Sequence, residues 1–188
     1  MKIILVATNA YIEEQFQLYF DEYDDTHVHL GRFEELRAEC LASPANSFGL
    51  MDGGMDAAIT AYFGEQLQER VQRRIIDEYY GEQPVGTSII INTHNDKIPY
   101  LAHSPTMRVP TDIRGTDNVY RATKATLIAA KNNAMKSIIL PAFGAGVGLM
   151  HPQEVARQIY LAYKHVKNPP ESIDWNFARF RDYEIGGR

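Results

Sequence analysis

Ser43-Pro-Ala-Asn-Ser-Phe-Gly-Leu-Met-Asp-Gly-Gly-Met-Asp-Ala-Ala-Ile59 decides how the chain is read. The apolar residues just before it, Cys40-Leu41-Ala42, read as the end of a buried strand that starts at Glu39. Pro44, Asn46, Gly49 and the pair Gly53-Gly54 then break the chain into a loop. Beyond the glycines, Met55, Ala58, Ile59 and Tyr62 recur at helical spacing. The order is strand, glycine loop, helix. A helix that starts on glycines offers free backbone N–H groups and the positive end of its dipole, which together favour a phosphate or another anion.

A second stretch repeats the pattern. Ile138 to Leu140 is a short apolar strand leading into Gly144-Ala145-Gly146-Val147-Gly148, and Pro152 stands where the first turn of a helix tolerates proline. One such loop is a weak signal. Two of them, each after a strand and each before a helix, point to one ligand with two phosphates held between neighbouring strand ends.

These two stretches resemble the motifs of the macrodomain family, the ADP-ribose binders and hydrolases. The family's Asn-Ala-Ala-Asn, glycine run and Val-Asp-Gly-Ala-Ile stand here as Ser43-Pro44-Ala45-Asn46 and Gly53-Gly54-Met55-Asp56-Ala57-Ala58-Ile59. Its Pro-x-x-Gly-Thr-Gly, followed by another glycine, stands as Pro141-Ala142-Phe143-Gly144-Ala145-Gly146-Val147-Gly148. The resemblance covers nearly the whole chain. It implies a three-layer α/β/α sandwich with a mixed central sheet, as a single domain over residues 1–188. It also implies ADP-ribose or an ADP-ribosylated protein as partner, with no cofactor and no metal.

Within that resemblance Asn46 matches the asparagine that bonds the distal ribose, and Asp56 the aspartate that works on the attacking water. Each also has a plainer reading: Asn46 as a turn residue and Asp56 as a carboxylate favouring the helix dipole. Asp52 departs from the family's glycine. It sits four residues before Asp56, so the two could share a face and split their pKa values into one acid and one base. An exposed loop aspartate is the alternative, and a bridging Mg²⁺ lacks further visible ligands. Asn46, Asp52 and Asp56 are thus the catalytic candidates. Substrate contacts are expected from Arg32, Phe33, Ala45, Ser47, Gly53, Gly54, Met55, Phe143, Gly144, Ala145, Gly146, Val147 and Gly148. Arg32 stands where the family has an adenine-reading aspartate. An arginine cannot accept that hydrogen bond, although it can stack on a base. The bond cut could be an ester to a protein carboxylate, another ADP-ribosyl linkage or the phosphate of ADP-ribose 1″-phosphate. The alternatives to a hydrolase are a non-catalytic ADP-ribose reader and a structural or phage-associated protein with an altered ligand.

Bulk composition sets the outer bounds. With 45% hydrophobic and 23% charged residues the chain falls in the globular range, and 188 residues suffice for a sizeable core. A net charge of −5 argues against a general nucleic-acid binder. The single cysteine, Cys40, rules out an internal disulfide and a cysteine zinc site, and suggests a reducing, cytoplasmic setting. The opening Met1 to Ala7 is too short for a signal peptide or a membrane span and reads as a strand.

Further elements follow from periodicity: a helix over 11–20, a strand over 28–30, a helical turn over 33–36, and a helix from Gly54 bending at Gly64. The next helix has Leu67, Val71 and Ile75 inward and a solvated face of Arg70, Arg73 and Arg74. A hairpin of strands 87–92 and 98–103, a long loop over 104–116, and helices over 116–133 and 152–166 come next. Trp175 to Phe180 reads as a last strand, with frayed residues 186–188. His103 reads as a structural histidine, and His94 and His151 as loop residues.

Overall fold

Continuous apolar runs such as Ile3 to Ala7 and Ile138 to Leu140 suit strands covered on both faces, and the computed structural model, which describes residues 1–186, puts them side by side. The strands are β1 (Lys2–Ala7), β2 (Thr26–Leu30), β3 (Cys40–Asn46), β4 (Ile89–Asn92), β5 (Tyr100–Met107) and β6 (Ser137–Pro141). They form one sheet in the order β2-β1-β6-β3-β5-β4, parallel except for β4, which pairs antiparallel with β5.

Alternate residues face opposite layers. Leu5, Cys40 and Ile138 look towards α1 (Ala10–Phe20), α4 (Asn118–Asn132) and α5 (Pro152–Lys167); Ile4, Leu41 and Ile139 look towards α2 (Gly54–Phe63) and α3 (Gln66–Tyr79). The result is a three-layer α/β/α sandwich with a mixed sheet. Cys40 is a buried core residue whose thiol burial pushes up to about 12. Among the described residues no helix is long and apolar enough to cross a membrane.

Several elements differ from the sequence reading. β3 runs on to Asn46 through Pro44, and β5 to Met107 through Pro105, so the expected loop over 104–116 begins only after Met107. Proline is tolerated in β3 because that stretch has a partner on one side only: β3 pairs with β5 along its length but with β6 only at Cys40 and Leu41. Arg70 and Arg74 do more than face solvent. They donate to the carbonyls of Ile90 and Asn92 on edge strand β4 and of Thr93 just after it.

The expected final strand over Trp175–Phe180 is helix α6 (Trp175–Ile185). Asp174 starts it, its side chain accepting from the Phe177 N–H at 2.7 Å. No place beside β6 is vacant, since β1 and β3 flank it. Of residues 186–188, expected to fray, Gly187 and Arg188 lie outside the described residues, and Gly186 closes α6 with φ +108°.

Candidate functional site

Five parallel strands end at the same rim, and β3 and β6 part after Leu41 because Pro44 and Pro141 supply no N–H to continue a ladder. The gap between them is the floor of a cavity of about 540 Å³. Its lining spans the ends of β1, β6, β3 and β5, about 14 Å from first to last at normal strand spacing. A cleft at the carboxyl ends of parallel strands is where α/β sheets bind ligands.

Two walls carry unused backbone donors. α2 begins at Gly53 with no side-chain cap, and its first intrahelical bond is from the Ala57 N–H. The N–H groups of Gly54, Met55 and Asp56 therefore have no acceptor among the described residues. On the opposite wall the N–H groups of Gly146, Val147 and Gly148 are likewise unpaired, while those of Ala145, Leu149 and Met150 close the turn. Gly148 cannot be replaced freely, because a Cβ there would lie 2.7 Å from the Gly144 carbonyl oxygen. The walls approach each other at Gly54 (φ +55°), where an added Cβ would stand 3.7 Å from Val147. The Ile113 N–H donates to the Gly148 carbonyl at 3.0 Å, tying the loop after β5 to the second wall.

The floor carries the carboxylate. Asp56, in the first turn of α2, is buried and accepts a hydrogen bond from the Ser43 hydroxyl on β3. Its Oδ2 has no hydrogen bond from the described residues and is left to the cavity that Asp56 lines. Burial pushes its pKa up to about 6; the Ser43 hydrogen bond opposes the rise, and the charge of Asp52 adds the smallest contribution. Asp52 is exposed at the mouth. The raised pKa of Asp56 therefore comes from its burial, and only slightly from repulsion by Asp52.

Asn46 laces its own loop. Its Oδ1 accepts from the N–H groups of Phe48 (3.1 Å) and Leu50 (3.3 Å), and its Nδ2 donates to the Leu50 carbonyl at 2.7 Å. One Nδ2 hydrogen remains for a ligand. Met51, buried, is pinned by Gln68 and Thr60, so the segment that delivers Asp52 and Gly53 is held from α2 and α3.

The structure brings Ala45, Asn46, Asp52 to Asp56 and Gly144 to Gly148 into this one cavity. Four expected contacts lie outside its lining. Arg32 is exposed and paired with Glu34; Phe33 is buried against Tyr62 and Phe63. Ser47 is buried, its backbone joined to Arg108 and Gln83, and Phe143 lies in the core below the second loop. Thr8 and Asn9 just after β1, Ile12 of α1, Thr106 and Met107 at the end of β5 and Pro110 beyond it line the cavity without having been expected there. The polar pair Thr8-Asn9 directly after an apolar strand was the available signal.

His103, in register with Ser43 across β3 and β5, is buried. Gln83 donates through Nε2 to the His103 carbonyl, so its Oε1 is the acceptor for the Nδ1–H at 2.7 Å. Nε2 is then a bare lone pair with no partner among the described residues. Burial depresses its pKa to about 3, so the ring is neutral. Among the described residues no group of three or more His, Cys, Asp or Glu is placed to hold a metal ion.

The Macro domain family model matches residues 42–159. The chain belongs to the macrodomain family. The match begins inside β3, so β1, α1 and β2 lie outside it although Thr8, Asn9 and Ile12 from that part of the chain line the cavity. An uncharacterised protein of Aeropyrum pernix is 32% identical over 135 residues, 72% of this chain and 68% of that protein. One of Aquifex aeolicus is 34% identical over 133 residues, 70% and 76%. Among solved macrodomains, that of Mycobacterium tuberculosis DarG superposes with a TM-score of 0.64 at 15% identity, covering 73% of this chain and 89% of the other. The Oceanobacillus iheyensis macrodomain with ADP gives 0.58 at 20% identity, covering 79% and 83%. A substituted form of that macrodomain with ADPR gives 0.63 at 16%, covering 97% and 91%. These likenesses establish the fold.

Proposed function

We propose that this macrodomain, a single unit over the chain, binds ADP-ribose or a derivative and hydrolyses a bond at its distal ribose. The observation that carries the reading is a buried carboxylate, Asp56, with one oxygen open to a cavity walled by unpaired backbone N–H groups. The O. iheyensis macrodomains with ADP and ADPR support the choice of ligand.

In this reading the two phosphates rest on the N–H groups of Gly54 to Asp56 and Gly146 to Gly148, where charge-assisted bonds form without a lysine or arginine. The distal ribose lies towards β3 and β5, beside Asn46 and Asp56. With a pKa near 6 the carboxylate is mostly ionised at neutral pH and strong enough to take a proton from water. Water adds to the anomeric carbon, Asp56 receives its proton, and the bond to the leaving oxygen breaks. A carboxylate or phosphate leaves as an anion and needs no proton, which suits a site with one buried acid. Leu50 and Val147, each about half exposed, flank the mouth and offer apolar contact to a protein that bears the ADP-ribose.

Calorimetric titration with ADP-ribose, with AMP and ribose 5-phosphate as controls, tests the ligand. A Kd of about 1–100 μM that needs the whole molecule is the expected result. Absence of heat and of any thermal shift would refute it. Asp56→Ala then tests the chemistry: turnover of an ADP-ribosyl ester falls by roughly 10²–10⁴-fold while affinity stays within a few fold. Equal turnover in the variant would exclude Asp56 as the base, and no turnover by wild type would leave a binding module.

A further inference from the structure

We propose that Ser43 is a positioning residue for this site, holding Asp56 ionised and turned so that Oδ2 faces the ligand. The inference rests on the hydrolytic reading of Asp56 given above.

Ser43 touches no ligand space. It is fully buried in β3 and absent from the cavity lining, yet its hydroxyl is the one hydrogen bond that the described residues give the Asp56 side chain. The family pattern has an asparagine there, whose amide would present a donor and an acceptor; serine offers a single proton on a shorter arm. That proton is spent on Oδ1. A carboxylate tied through one oxygen by a donor on a central strand keeps one rotation, and the free oxygen is left to the cavity. The strand is a rigid support: Ser43 is paired with His103 of β5, and Cys40 and Leu41 below it are paired on both sides.

Among the described residues no cation shares this duty. Asp52, from the loop before α2, disfavours the charge on Asp56. On β5, His103 lies in register with Ser43 and is neutral. The wall from Gly144 to Gly148 carries no titratable side chain, and His151 beyond it is exposed. Ser43 is thus the one named group that favours ionised Asp56 against burial and Asp52. Removing the hydroxyl leaves a buried carboxylate with no partner, which protonates more readily and turns more freely.

The test compares wild type with Ser43→Ala and Ser43→Thr, following the Asp56 carboxyl carbon by NMR across pH 4–9 and the pH profile of kcat/KM in parallel. In S43A the carboxyl titration and the acid limb of the profile both move up by about one unit, so activity on that limb drops about tenfold. Ligand affinity at pH 8 stays near wild type. S43T, which keeps the donor, restores both curves. Should S43A not fold, Ser43→Cys, a weaker donor of similar size, moves both curves in the same direction by less. Wild-type titration in S43A, or a shift that S43T does not reverse, overturns the assignment. If the wild-type protein turns over no ADP-ribosyl substrate, the hydrolytic reading falls, and the carboxyl titration alone decides whether Ser43 sets the state of Asp56.

Discussion

α1 and α2 both start at the carboxyl ends of central strands, on the same rim, and the two starts are finished differently. At α1 the Asn9 side chain accepts from the Ile12 N–H at 3.0 Å, and the helix supplies its own cap. At α2 the cap position is Gly53, no side chain reaches the first turn, and the donors stand open over the cavity. The first start serves stability. The second gives up a cap worth at most a few tenths of a kcal/mol beyond glycine and keeps an anion seat instead.

The sharpest way to break that contrast is to give α2 the cap it lacks. Gly53 has extended backbone angles, and an added Cβ would meet nothing within 4 Å, so Gly53→Asp is sterically allowed. Its carboxylate takes the open donors, and ADP-ribose affinity falls by about 100-fold or more while stability changes by under about 0.5 kcal/mol. Calorimetry and urea unfolding read the two effects. Undiminished affinity would mean that the phosphates do not sit at this helix start.

Next in size are the pH effects of two buried titratable groups, Asp56 and His103. Asp56 has a folded pKa of about 6 against an ordinary 3.8, so the folded protein binds the proton more tightly. Its contribution is fully present below about pH 4 and is lost as pH rises through 6. Asp56→Asn removes that loss, and relative to wild type the variant is on the order of 2–3 kcal/mol better placed at pH 7.5 than at pH 4. His103 works the other way. Its pKa is about 3 against an ordinary 6.5, so its contribution is present above pH 6.5 and is lost as pH falls towards 3. His103→Gln therefore flattens the acid side of the stability curve. Urea unfolding at several pH values checks both signs.

At α1, Asn9→Ala removes the cap and costs about 1 kcal/mol in unfolding free energy. The smallest change is expected far from the rim: none of the α6 residues is buried, so Phe180→Ala shifts stability by less than about 0.5 kcal/mol.

Much of the site was legible because glycine, proline and apolar spacing act locally. Gly53-Gly54 after an apolar run and before Met55, Ala58 and Ile59 leaves few backbone choices, and the second loop obeys the same logic. Arg32 and Phe33 show where that reading ends. Their place in the motif is local, but whether a side chain reaches the cavity depends on Glu34 and on Tyr62 and Phe63, which sequence spacing does not bring into view. Trp175-Asn-Phe177 was misread for a related reason. Aromatic residues favour strands when a sheet offers a place, and the Asp174 cap signal was the local clue that a helix begins there.

The sequence by itself determined the strand–loop–helix units, the layered α/β class and the two glycine walls, since each follows from interactions within a few residues of chain. The tertiary structure decided the rest. It parted β3 from β6 at Pro44 and Pro141, set β1 between β2 and β6, and buried Asp56 against Ser43. Those outcomes depend on which distant segments become neighbours, and a carboxylate's charge responds to its neighbours and its burial more than to its place in the chain.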